Sequence, residues 1–341
     1  MGRLTRGYRV RRLRGGEWSE RPDTLVVEEP LEIRVGGHPY AVTMRTPGHD
    51  FDLAAGFLVS EGVVGRPNEI STIRYCSDES PCGQLATTAL ARLTASHEGH
   101  PHSIGPREDA LQILGDRVGG TLSRGVGTGA EGPGGTPEEY EPPQVTAALS
   151  DSTYNIVDVT LAPGVTQPRP EIERSVYTTS SCGVCGKTAL DAVQTTTRWP
   201  VGDDPMLVHA ATIGSLPDSL RAEQRVFART GGLHAAGIFT AEGALVCLRE
   251  DVGRHNAVDK VMGWALRTGG LPLSGHILQV SGRASFELVQ KAVMAGMPML
   301  TAVSAPSSLA VDLAAEAGLT LVGFVRDRGM CVYAHRHRVI A

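Results

Sequence analysis

The chain has 341 residues, of which 41% are hydrophobic and 20% charged, with a formal net charge of −5. That length and apolar content supply one large core or two joined ones, and exclude a chain that is disordered throughout. The acidic balance excludes a globally basic nucleic-acid binder, and no run of about 18 apolar residues is present to span a membrane.

The first residues carry Arg at 3, 6, 9, 11, 12 and 14 without a following apolar run, so they read as a flexible basic arm over 1–21 and not as a signal peptide. Six cysteines are too few for a disulfide scaffold, which places the chain in the cytoplasm with reduced thiols. Order is expected from Asp23. Alternation from Leu25 to Arg34, a Gly36-Gly37 turn and a resumption at Tyr40 predict a hairpin. Asp50 then starts a short helix through Leu53, Phe57 and Leu58 that ends at Gly62. A helix over 104–118 precedes a stretch, 119–144, with eight glycines and neither Ile nor Phe, which cannot bury a core and reads as a mobile insertion within 97–145. A strand at NIVDVTLA follows Tyr154 and completes an N-terminal α/β subdomain over 22–180.

Residues 181–204 hold a cysteine-containing loop and a connection, and 205–341 form a second domain. Its helix at Asp218–Arg229 is followed by two strands at His234–Thr240 and Leu245–Arg249. A helix with Ala257, Val261 and Ala265 in one stripe comes next. Strands at Ile277–Ser281, Met299–Val303 and Leu319–Val325 alternate with helices at Phe286–Ala295 and Leu309–Ala317, and Met330–Ala334 is a last strand. This alternation predicts an α/β fold with a mixed, largely parallel sheet and helices on both faces.

The sharpest local feature is Ser180-Ser181-Cys182-Gly183-Val184-Cys185-Gly186-Lys187. Two thiols three residues apart share a metal, form a disulfide, or act as attacker and resolver. Gly183 and Gly186 leave both sulfurs open, Lys187 adds positive charge, and a helix starting in the following TALDAV would also favour thiolate. A structural zinc site needs two further ligands, and Cys76 and Cys82 lack zinc-ribbon spacing. A phosphate loop would need Gly where Ser181 stands.

Four further polar clusters sit where strands hand over to helices or turns. They are Glu250–Lys260, with Asp251, Arg254, His255 and Asn256; Ser281-Gly282-Arg283-Ala284-Ser285; Ser304–Ser308; and Phe324-Val325-Arg326-Asp327-Arg328-Gly329. Each alone reads as a capped helix turn or a charged hairpin. Three of them follow successive strands at their carboxyl ends, and that convergence points to one ligand crevice. A zinc nucleoside deaminase is excluded, because the chain has no H-x-E at His255 and no cysteine at 282–285.

SSCGVCGK, EDVGRHNAVDK, SGRASFELVQKA and the closing FVRDRG…YAHRHRV resemble the FdhD family of formate dehydrogenase accessory sulfurtransferases, over about Asp23 to Arg338. The resemblance implies a C-terminal domain similar to cytidine deaminase without its zinc, and a homodimer. It implies that a cysteine desulfurase delivers sulfur as a persulfide on Cys182, with Cys185 as second thiol. The sulfur passes to the molybdenum bis(molybdopterin guanine dinucleotide) cofactor, bound as substrate, for the catalytic subunit of formate dehydrogenase. The family's cofactor-binding segment falls on Phe324, Val325, Arg326, Asp327, Arg328 and Gly329. Arg254, His255, Gly282 and Arg283 are further candidates, and no metal of the protein's own, nucleic acid or membrane is implied. The alternative is a CxxC thiol-disulfide oxidoreductase that binds a guanine nucleotide.

Overall fold

A computed structural model describes residues 4–76, 155–168, 197–326 and 329–341. All lie in one compact unit, Met1–Gly83 with Ser152–Ala341. The expected helix at 104–118, the glycine-rich stretch and the cysteine motif lie outside the described residues.

The basic N-terminus is not a flexible arm. Thr5–Arg14 (β1) and Glu17–Val26 (β2) pair along their whole length, from Thr5 against Val26 to Arg14 against Glu17. Gly15 and Gly16 both take positive φ, the conformation a two-residue turn between twisted strands requires. The run of arginines hid this hairpin, because their alternation with Tyr8, Val10 and Leu13 is weak and neither face buries a core.

The next hairpin is the expected one, Glu29–Val35 (β3) and His38–Arg45 (β4), turned at Gly36-Gly37. Asp50–Ser60 (α1), Ile70–Tyr75 (β5) and Ile156–Leu161 (β6) follow. These strands form a four-stranded sheet in the order β4-β3-β6-β5, with only β3 and β6 parallel.

Val208–His209 (β7) leads into Ala210–Glu223 (α2) and Arg225–Thr230 (α3). Sequence periodicity placed one helix from Asp218. In fact α2 begins eight residues earlier, carries Pro217 inside, and breaks at Gln224. The six-stranded sheet then builds from His234–Thr240 (β8), Leu245–Asp251 (β9), His276–Val280 (β10), Met299–Ala302 (β11), Thr320–Arg326 (β12) and Gly329–Ala334 (β13). Its helices are Arg254–Arg267 (α4), Phe286–Met294 (α5) and Ser308–Ala317 (α6), and Val339–Ile340 (β14) pairs with β7.

The strand order is β13-β12-β11-β10-β8-β9. β10, β11 and β12 are parallel neighbours, while β8 and β13 run against them. β9 is antiparallel to β8 and so shares their direction. The sheet is mixed, and less parallel in its pairings than the alternation suggested. Side chains alternate as period two demands. Ile238, Leu278, Leu300 and Leu321 enter a large core with α1, α4, α5, α6 and the four-stranded sheet. Phe239, Ile277, Met299 and Val322 enter a smaller core under α2.

The large core runs without interruption from Leu31 to Ala334, so the expected N-terminal and C-terminal domains are joined through one interior. α1 crosses α4 at Gly56 and Gly263. A methyl on Gly56 would overlap the carbonyl of Asp259, and one on Gly263 that of Asp52. No helix among the described residues is long and apolar enough to cross a membrane.

Replacing Gly56 with Ala is expected to cost at least about 1–3 kcal/mol, because the two backbones must separate and the interior repack. Urea denaturation of Gly56→Ala against wild type measures it; an unchanged midpoint would show that the helices do not meet there.

Candidate functional site

The carboxyl ends of β9, β10, β11 and β12 share one edge of the sheet, and β8 begins there. Hydrogen bonds stitch the loops at this edge together. The Ser281 hydroxyl accepts from the Ala235 N–H at 2.9 Å, and the Ala235 carbonyl accepts from the Ser281 N–H. The Gly282 carbonyl takes the Ser304 N–H, the Ala284 carbonyl takes the Ser307 N–H, and the Ser304 carbonyl takes the Phe324 N–H. Phe324 pays for this last contact with a left-handed backbone, φ 53, in an irregular stretch of the β12–β13 pairing. A non-glycine residue in that conformation is held by its surroundings.

A cavity of about 830 Å³ opens at the edge, on the α2 side. It is walled by Asp218 and Arg221 from α2, Gln224 at the break after it, Phe227 from α3, His234, Ser281, Val303, Val325 and Arg326. Its size is that of a small-molecule site. Arg221 stacks on Phe227, its guanidinium 3.9 Å from the ring centre, and Arg326 lies exposed at the rim with its guanidinium 6.0 Å from the Phe324 ring centre. Gln224 is 4% exposed, yet its side-chain Nε2 has no acceptor among the described residues. Such a buried donor costs about 1–3 kcal/mol unless something accepts from it. Burial pushes the His234 imidazole below 6.5, the neighbouring Arg254 and His255 push the same way, and Asp251 opposes them. His234 therefore lines the cavity as a neutral ring at pH 7.

The Glu250–Lys260 motif is largely structural. The Glu250 carboxylate accepts from the Val226 and Phe227 N–H groups and so caps α3, which fixes the Phe227 wall. Asp251 accepts from the Thr46 N–H and pairs with Lys260 at 2.6 Å. Asn256 donates to the Met44 carbonyl and accepts from Thr43. Asp259 accepts from Ser60 and pairs with Lys291 at 2.7 Å. These groups fasten α4 to the N-terminal strands and helices. Arg254 keeps a buried Nε with no acceptor among the described residues, whereas His255 lies 3.2 Å from both Ser285 and Glu287.

The sequence pattern of the FdhD/NarQ family matches residues 26–106 and 141–340. The chain belongs to that family. It is 53% identical to "Sulfur carrier protein FdhD" of Streptomyces avermitilis over 340 residues, 99% of this chain and 97% of the relative. It is 47% identical to the protein of the same name from Mycobacterium tuberculosis, over 99% of this chain and all of that one. A crystal structure of a candidate formate dehydrogenase accessory protein from Desulfotalea psychrophila superposes with a TM-score of 0.62 at 19% identity, covering 99% and 100% of the two chains. That likeness concerns the fold.

The FdhD-type motifs are distributed unevenly around the cavity. Val325 and Arg326 line it. Phe324 sits in the bulge behind them, and Gly329 starts β13. Arg283 is exposed to solvent beside the edge. Gly282 serves a neighbour: a methyl there would press on the His234 ring at 3.4 Å. Cys182, Cys185, Asp327 and Arg328 lie outside the described residues. Sequence reasoning missed Asp218, Arg221, Gln224, Phe227 and His234. The only local signal was polar spacing at 218, 221 and 224 on a helix face, which reads as solvated surface. Among the described residues no group of three or more His, Cys, Asp or Glu is placed to hold a metal.

Hydrogen bonding from His255 is the largest influence on Glu287 and holds its carboxyl down at about 2, from 4.5, against the opposing effect of burial. A depressed carboxyl contributes stability that is complete above its unfolded pKa and is lost as pH falls through the folded one. The wild type is therefore expected to lose this contribution between pH about 4.5 and about 2, and Glu287→Gln to lack that part of the acid limb. Thermal melts of both proteins across this range check it; parallel acid limbs would show that the His255 contact does not stabilise the fold.

Proposed function

We propose that this chain is a sulfur carrier that takes sulfur from a cysteine desulfurase as a persulfide on Cys182. It hands the sulfur to the molybdenum bis-guanine-dinucleotide cofactor destined for formate dehydrogenase. The observation that carries the reading is the Cys182-Gly183-Val184-Cys185 motif inside a region matched by the FdhD/NarQ family, in a chain 53% identical to a named sulfur carrier protein.

The chemistry suits the residues. The Cys182 thiolate attacks the outer sulfur of the desulfurase persulfide, and the desulfurase cysteine leaves as thiolate. Cys182 then carries one extra sulfur at the same oxidation level. Attack by the Cys185 thiolate on the Cys182 sulfur expels the outer sulfur as sulfide and leaves a Cys182–Cys185 disulfide. A dithiol reductant then returns the pair to thiols. Lys187 favours the thiolate that starts the sequence.

The cavity at the sheet edge fits the substrate's nucleotide ends. Arg221 and Arg326 supply charge for a diphosphate, the Gln224 amide supplies a donor that lacks a partner, and Asp218 supplies an acceptor for ring N–H groups. An overall charge of −5 makes such local concentration of guanidinium necessary for an anionic ligand.

Mass spectrometry after incubation with a desulfurase and cysteine tests the carrier step. Wild type is expected to gain one sulfur on Cys182, and Cys182→Ala none. A loss of two hydrogens alone would instead identify a disulfide oxidoreductase. Calorimetric titration with GDP tests the cavity. Arg326→Ala is expected to bind roughly ten- to a hundredfold more weakly, from the loss of about 1.5–3 kcal/mol of charge-assisted hydrogen bonding. The difference should narrow at high salt, where screening has already weakened the wild-type contact. Sulfur loading should survive in Arg326→Ala; if it fails while the fold holds, the two functions share one site.

A further inference from the structure

His255 differs from its neighbours in the Glu250–Lys260 segment. Asp251, Asn256, Asp259 and Lys260 are buried, and packing takes up their polar atoms. The His255 ring is held on one side only. Its Nε2 lies 3.2 Å from Glu287 Oε2 and 3.2 Å from the Ser285 hydroxyl. Its Nδ1 makes no hydrogen bond among the described residues, and 18% of the side chain is open to solvent.

The carboxylate decides the tautomer. Glu287 lies in the first turn of α5, where the helix terminus favours negative charge, and its carboxyl is held down at about 2. Near neutrality it is ionised and only accepts. Nε2 therefore carries a hydrogen and donates it to Glu287. Nδ1 is left as the nitrogen that takes up and releases a proton, and it is the one without a protein partner. Ser285 reinforces the arrangement. It stands at the N-cap of α5, a position where serine usually caps, yet its hydroxyl caps nothing. It bonds to Glu287 instead and faces the same Nε2.

The cluster sits at the functional edge, since α4 and α5 begin just after β9 and β10 end. His255 is near enough to act electrostatically on His234, which lines the cavity. Arg254 before it and the exposed Arg283 add positive charge that draws an anionic substrate.

We propose that His255 is the proton donor of the sulfur hand-over, with Glu287 and Ser285 as its positioning residues. This rests on the sulfur-carrier function proposed for the chain. Sulfide expelled from Cys182 is hydrosulfide at neutral pH. On a molybdenum that carries an oxide ligand, the metal–sulfur bond forms as the metal–oxygen bond breaks. The oxide leaves as water, with one proton from hydrosulfide and one from the His255 imidazolium. No oxidation state changes, and solvent returns the proton to Nδ1. A packing contact between α4 and α5 would not need the second ring nitrogen open.

The test uses the full chain, loaded by a desulfurase and mixed with the oxide form of the molybdenum bis-guanine-dinucleotide cofactor. Exchange of one oxygen for one sulfur is followed in the cofactor's mass, per loaded Cys182. His255→Ala is expected to be slower by roughly a hundred- to ten-thousandfold, the usual worth of a placed acid. Added imidazole should restore much of its rate and leave wild type unchanged. His255→Gln still offers an N–H to Glu287 but no transferable proton, so it should be as slow as His255→Ala. A His255→Gln as fast as wild type, or a His255→Ala that imidazole leaves slow, would make the cluster a structural clip and overturn the proposal. A wild type that never loads sulfur would instead remove the carrier function, and this role with it.

Discussion

The close crossing of α1 and α4 at Gly56 and Gly263 governs the rest of the fold. Two helices approach this closely only where neither has a side chain at the contact, and both glycines would place a methyl inside the other helix's backbone. The approach presses Asp52, Ser60, Asp259 and Lys260 into an interior from which water is excluded. Each needs a partner there, since an unpaired buried charge costs several kcal/mol. Asp52 takes Arg249 and Arg267, Asp259 takes Lys291 and Ser60, and Lys260 takes Asp251 and the Thr46 carbonyl. The contacts of Asp52, Ser60 and Thr46 join elements about 200 residues apart in sequence. The large core thus spans both of the domains that the length of the chain would allow.

That network orients the functional edge. Asp251 ends β9, and its ties to Thr46, Gly253 and Lys260 fix where α4 begins. Glu250, its neighbour, reaches the other way and caps α3. One strand end therefore anchors the large core on one side and the cavity wall on the other. The loops after β10 and β11 are held to each other and to Phe324 by backbone hydrogen bonds, so the cavity rim is set before any ligand arrives. A rim of this kind spends little ordering entropy on binding.

The Glu250–Lys260 cluster shows how polar density in a sequence can serve packing. Glu250–Lys260 holds acids, bases and an amide within one helix turn, which is equally the composition of a reactive mouth and of a buried junction. Asp251, Asn256, Asp259 and Lys260 turn inward and are consumed by packing. Arg221 and Gln224, which line the cavity, lie in and at the end of a helix whose sequence shows only ordinary amphipathic spacing. A side chain's chemistry is local, whereas the solvent it meets depends on what covers it.

Local pattern was enough for most of the secondary structure from β3 onward, because period-two and helical stripes, Gly36-Gly37 and Gly62 mark elements and their ends without reference to distant residues. It was also enough to bring the 281–285 and 304–308 segments and Phe324–Arg326 to one edge, since loops after parallel strands must share it. The family was legible in short motifs for the same reason. The tertiary structure alone decided the joining of two expected domains, the ribbon at 5–26 and the wall of the cavity. Each depends on contacts between residues distant in the chain, or, for the ribbon, on cross-strand pairing that leaves no buried stripe behind. Hydrophobic periodicity records which face of an element is covered, not which element covers it.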